Sequence, residues 1–124
     1  MTKPGKRGLR RLLDATRYSA AGLSAAWSGE EAFRQEVIVG IALVPAALLL
    51  GQTSYERLLL ISSWLLVIIV EVLNTAVEAT VDRISDEVHP LSGRAKDLGS
   101  AAVLLSLVLA LLVWGTVAWQ RFGS

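Results

Sequence analysis

The sequence predicts an all-α membrane protein, with an N-terminal amphipathic surface helix followed by three membrane helices. Hydrophobic residues make up 53% of the 124-residue chain. The mean hydropathy of +0.53 is too high for an ordinary soluble domain of this size. The apolar residues gather into three long runs separated by short polar or glycine-containing stretches. Charge is polarised: residues 1–17 carry Lys3, Lys6, Arg7, Arg10, Arg11 and Arg17 against Asp14 alone, whereas acids outnumber bases in the rest. The length gives a single domain, 1–124, as the expectation.

The elements follow in order. Over about 9–27, Leu9, Leu12, Leu13, Thr16, Ala20, Leu23 and Trp27 share one helical face, and Arg7, Arg10, Arg11, Asp14 and Arg17 the other. A basic face opposite an apolar face ending in Trp reads as an interfacial helix; a helix packed on a soluble core is the competing reading. No apolar run of signal-peptide length follows the first bases directly. The first span covers about 32–50, with Pro45 as a possible kink and Gly51 to Ser54 as a turn. The second, about 57–84, is roughly 40 Å long as a helix, so its end should project beyond the hydrocarbon. Residues 85–93 form a polar loop, and the third span covers about 95–119. Trp64, Trp114 and Trp119 are placed in interfacial belts. The positive-inside rule puts the N-terminus and the 82–97 region in the cytoplasm. A nucleic-acid arm is disfavoured, because no aromatic residues interleave the bases and no second basic stripe exists.

The absence of Cys removes disulfides, thiolate metal sites and a cysteine nucleophile, and a single histidine, His89, removes His-rich metal sites within one chain. Any metal must be held by carboxylate, amide and water oxygens, which suits Mg²⁺.

The second span carries the most informative feature. Glu71, Asn74, Glu78 and Asp82 fall within roughly 80° of one another on a helix. A carboxylate in such a segment costs about 2.5–3.5 kcal/mol to insert, tolerable only if it meets a cation, a partner or a water-filled cleft. Two further clusters should reach the same membrane face: Glu30, Glu31, Arg34, Gln35 and Glu36 before the first span, and Arg94, Lys96, Asp97 and Ser100 at the start of the third. Carboxylates for a hard cation, bases for phosphate and one deeper acid are what phosphoryl transfer requires. Glu71, the deepest, can reach a hydroxyl at the lipid interface as general base; Glu78, nearer water, is better placed for Mg²⁺ with nucleotide phosphates; Lys96 suits a phosphate. Structural readings stand beside these: Glu71 and Glu78 as interhelical glue, Glu30 and Glu31 as first-turn acids, Lys96 and Asp97 as a solvated pair. Neither a Walker A sequence nor a kinase-type glycine loop is present, so a nucleotide site here is of another type.

The runs EAFRQE (31–36), EVLNTAVEATVDR (71–83) and LSGRAKDLGSAAVLL (91–105) resemble the bacterial integral-membrane diacylglycerol kinase family, over about Arg11 to Trp114. The resemblance implies a homotrimer of three-span subunits with shared active sites in the bacterial inner membrane. It implies transfer of the γ-phosphoryl of MgATP to the primary hydroxyl of diacylglycerol, giving phosphatidic acid. Carried to matching positions, it makes Glu71 the base and Glu30 and Glu78 the Mg²⁺ ligands. Asn74, Lys96 and Asp97 then place the nucleotide phosphates, Arg11 and Ser19 join the nucleotide set, and Glu36, Ser100 and Trp114 contact lipid. Gly29 stands where many members carry Asn, leaving Glu30 and Glu31 as adjacent ligand choices, with Glu30 keeping the family spacing to Phe33 and Glu36. The expected cross-subunit site sets Glu30 of one chain against the stripe of another, since three spans alone should not shield several carboxylates. The rivals are undecaprenol kinase, a proton-coupled transporter with Glu71 as the coupling acid, and a non-catalytic membrane subunit.

Overall fold

The computed structural model describes residues 7–84 and 87–123, and every regular element among them is a helix. These are α1 (Leu9–Gly29), α2 (Glu31–Leu50), α3 (Ser54–Ile84) and α4 (Pro90–Phe122). The last three are long and apolar enough to cross a membrane. At 1.5 Å per residue α3 and α4 are about 46 and 50 Å long, so each has a turn or more outside a hydrocarbon core of about 30 Å. The most extensive packing is between α3 and α4, then α2 and α3, with α1 lying lightly on α2 and α3.

The two later spans begin earlier than their apolar runs. α3 starts at Ser54 rather than Arg57 because Thr53 Oγ1 accepts from Glu56 N at 3.1 Å while Glu56 Oε1 accepts from Gln52 N at 2.7 Å. That exchange is close to a capping box, and it ends the 51–54 turn one residue early. α4 starts at Pro90 rather than Ala95, so much of the expected 85–93 loop is helix. His89 is its N-cap, accepting from Leu91 N at 3.0 Å through Nδ1, and Pro90 occupies a first-turn position where its missing N–H costs nothing. Ser85 and Asp86 lie outside the described residues, as do Lys3 and Lys6. α2 runs through Pro45 as one helix.

α1 departs from its pattern at one residue. Asp14, grouped with the basic face, is buried, while Leu9, Leu12 and Leu13 are exposed. Its short carboxylate has Arg10, Arg11 and Arg17 as helix neighbours, whose longer stems can cover it.

Two tryptophans expected in interfacial belts sit between helices instead. Trp114 donates through Nε1 to Leu60 O at 3.1 Å, beside the small buried cluster of Ala47, Leu60 and Val117. Trp64 donates to the Glu36 carbonyl at 2.8 Å, across 28 residues of sequence. Its indole can lie there because residue 40 has no side chain: a Cβ on Gly40 would meet Trp64 Cδ1 at 2.8 Å and Nε1 at 2.9 Å. A buried indole N–H needs its acceptor, so this bond fixes the register of α2 on α3. Gly40→Ala is expected to destabilise by about 1–3 kcal/mol although Ala is the better helix former, because the rigid ring cannot yield. Unfolding titrations in denaturing detergent check this; in a Trp64→Leu background most of the penalty should vanish.

Candidate active site

The acidic end of the bundle is assembled from α2, α3 and α4. Glu71 projects from the middle of α3 and is only 6% exposed within a single chain. One chain alone therefore buries the deepest acid, while Glu78 is half-buried and Asp82 exposed. Trp64 lies seven residues earlier on nearly the same face of α3, so its bond to the Glu36 carbonyl holds α2 opposite Glu71. Across that interface the Glu36 and Glu71 carboxyl groups lie close enough to interact.

The stripe continues towards the end of α3. Asn74 is half-buried and its Nδ2 donates to Glu78 Oε1 at 3.3 Å. Asp82 forms an ion pair with Lys96 of α4, Oδ1 to Nζ 2.7 Å. The two side chains are 63% and 45% exposed, so solvent screens the pair and leaves it open to exchange with another anion. A polar cleft of about 270 Å³ beside it is lined by Asp82, His89, Ser92, Gly93 and Lys96.

Among the described residues, three buried side-chain oxygens lack a hydrogen-bond partner: Glu36 Oε2, Asn74 Oδ1 and Thr75 Oγ1. All belong to the neighbourhood of Glu71. Such atoms are uncommon and each costs stability, so their concentration around one buried carboxyl marks a site built to receive something.

The corner between α1 and α2 sets Glu30. Arg34 reaches back to the end of α1, Nη1 donating to Trp27 O at 2.6 Å and to Ser28 O at 3.3 Å. Glu30 is the extended N-cap of α2, and its side chain makes no capping bond. Its neighbour Glu31 lies in the first helical turn, exposed, accepting from Gln35 at 3.4 Å, the arrangement of an ordinary helix-start acid. Glu30 instead lines a largely apolar cleft of about 680 Å³ between α1 and α3, together with Ser19, Ala26, Ile69, Val72 and Ala76.

The fold thus brings together Glu36 with Glu71, Asn74 with Glu78, Asp82 with Lys96, and Ser19 with Glu30. Arg11 of α1 and Asp97 and Ser100 of α4 are exposed. Trp114 is not at the acidic end: its partner Leu60 lies 11 residues before Glu71 on α3, about 16 Å along the helix. Among the described residues, no three His or carboxylate side chains converge on one point. Mg²⁺ needs only one or two carboxylates where substrate phosphates and water complete its shell. Glu78, half-buried with only a long bond from Asn74, has oxygen lone pairs to offer such an ion.

The sequence matches the family model for prokaryotic diacylglycerol kinase over residues 17–118. A relative named diacylglycerol kinase from Escherichia coli K12 is 51% identical over 116 residues, covering 94% of this chain and 95% of the relative. One of the same name from Pseudomonas aeruginosa is 52% identical over 113 residues, covering 91% and 92%. Another from Helicobacter pylori is 41% identical over 112 residues, covering 90% and 88%.

Proposed function

The chain belongs to the prokaryotic diacylglycerol kinase family, and we propose the following reading of its site. The protein is an ATP-dependent lipid kinase that moves the γ-phosphoryl of ATP to the primary hydroxyl of diacylglycerol, giving phosphatidic acid and ADP. The observation that carries this reading is the buried Glu71, ringed by unpartnered polar atoms, at the head of an acidic stripe in an apolar helix.

Glu71 is the general base. It takes the hydroxyl proton as the lipid oxygen attacks the γ-phosphorus. The bond from that phosphorus to the β,γ-bridging oxygen breaks, and ADP leaves with the electron pair. Glu78 and Glu30 would hold Mg²⁺ with the nucleotide, and the ion would supply charge neutralisation at the phosphates. Glu30 is preferred over Glu31, because its carboxylate is free of capping and faces a cleft whereas Glu31 is an exposed first-turn acid. Lys96, released from Asp82, binds phosphate; Asn74, Asp97, Arg11 and Ser19 complete the nucleotide set. The apolar wall of the cleft between α1 and α3, with Ile69, Val72 and Ala76, takes the lipid chains. Glu36, Ser100 and Trp114 form the remaining lipid contacts, with Trp114 deep along an acyl chain.

The exposed Leu9, Leu12, Leu13, Leu23 and Trp27 suit α1 to lying in the membrane interface. Homotrimers with the Glu30-bearing corner of one chain beside the stripe of the next would complete the ligand set that one chain leaves open. The positive-inside rule orients the acidic end to the cytoplasmic side of the inner membrane.

Purified protein in mixed micelles with labelled MgATP tests the reading directly. Phosphate transfer to diacylglycerol, lost in Glu71→Gln, is the expected result. Preferred transfer to undecaprenol would move the acceptor to the cell-wall carrier, and no transfer to either by folded protein would overturn the kinase assignment.

A further inference from the structure

We propose that Gly99 is a positioning residue of the phosphoryl-transfer site: the space left by its missing side chain holds the Asn74 amide against Glu78. A Cβ on residue 99 would fall on Asn74 Oδ1 and lie 3.1 Å from Asn74 Cγ. That oxygen is buried with no hydrogen-bond partner, so no bond of its own holds it where it is. The other end of the same amide, Nδ2, donates to Glu78 Oε1 at 3.3 Å. By contrast Gly22, Gly29, Gly93 and Gly115 face open space, and a Cβ there would touch nothing. One turn before Gly99, Lys96 holds Asp82, about two turns beyond Asn74, so α4 meets the stripe at both of its levels.

The clash that a side chain at 99 would create has an unusual distribution of cost. The obstructing atoms are the end of a side chain, not backbone or a pinned ring, so the fold can admit alanine by letting the Asn74 amide swing. Alanine also favours the helix that glycine weakens. The swing, however, breaks the bond to Glu78 and frees that carboxylate to turn away from the cation. Gly99 therefore trades helix stability for the orientation of a ligand it never touches, as the residues that hold a metal-binding group in place commonly do. This inference rests on the reading of Glu78 as a ligand for the nucleotide-bound cation.

The test is a titration of the full chain in detergent micelles with the magnesium complex of a non-hydrolysable ATP analogue, with Tm and oligomeric state measured alongside. Gly99→Ala should bind about tenfold more weakly, with Tm unchanged or raised and assembly intact. Asn74→Ala should bind weakly too, and the double variant Asn74→Ala/Gly99→Ala should be within roughly twofold of Asn74→Ala alone. Wild-type affinity in Gly99→Ala, an undiminished further loss in the double variant, or a Gly99→Ala protein that does not fold would each overturn the proposal. Glu78→Gln separates the two levels. If it binds as wild type, the ligand role of Glu78 falls and this inference with it. If it binds weakly while Gly99→Ala does not, only the role of Gly99 falls.

Discussion

Glu71→Gln is expected to lower kcat by about 10²–10⁴-fold, a rise of roughly 3–5 kcal/mol in the barrier, while the KM for MgATP changes little. The substitution keeps size and leaves an amide able to hydrogen-bond Glu36, so the α2–α3 interface loses no volume and Trp64 keeps its acceptor. What it removes is the capacity to accept a proton as the lipid oxygen attacks. Initial rates against both substrates, with unfolding measured on the same preparations, decide the matter. A folded, fully active Glu71→Gln enzyme would return Glu71 to the role of interhelical glue, since glue tolerates an amide and a base does not. Loss of rate accompanied by loss of the fold would also favour the structural role. The distinction is sharp because the residue is buried, so a structural carboxyl pair and a catalytic base make opposite demands on an isosteric amide.

The parts of this site legible in the sequence are those written in helical periodicity. Glu71, Asn74, Glu78 and Asp82 share a face of any α-helix, and an apolar run around them makes that face costly unless used. The three spans follow from the same patterning, but two of them start a few residues before their apolar runs, where side chains outside those runs do the capping: Thr53 with Glu56, and His89 with Pro90. What periodicity does not contain is which face of one helix meets which face of another. The placing of Glu36 against Glu71 is therefore seen only in the packed helices. Trp64 and Trp114 read as belt residues, because a tryptophan in an apolar span looks the same whether its N–H reaches the interface or a carbonyl on the next helix. Gly40 and Gly99 carried no visible signal, since a glycine's role as a seat for Trp64 or Asn74 exists only once the helices are packed. The adjacent acids Glu30 and Glu31 were indistinguishable by composition and are separated by one backbone step, from the extended N-cap into the first turn of α2.

Mixing two inactive enzymes is expected to restore activity. Glu30→Gln and Glu78→Gln should each lose most turnover, because each removes one of the few carboxylates available to a nucleotide-bound cation. If Glu30 serves the stripe of a neighbouring chain, subunits of the two kinds unfolded, combined in equal amounts and reassembled together should recover about a quarter of wild-type activity. Each site in a closed ring then has a one-in-two chance of an intact Glu30 from one chain and the same chance of an intact Glu78 from the next. If both residues serve the site within one chain, every site keeps one defect and mixing recovers nothing. The geometry makes the first outcome the expected one. Within a chain Glu30 faces the cleft between α1 and α3, beside Ile69, Val72 and Ala76, whereas Glu78 is turned towards Asn74 and the α4 side of the same helix. Two ligands on different faces of α3 can close on one ion only if a second copy brings its Glu30-bearing corner round to the stripe. The buried Glu71–Glu36 pair would then be contributed whole by one subunit and the cation site divided between two, which ties turnover to assembly.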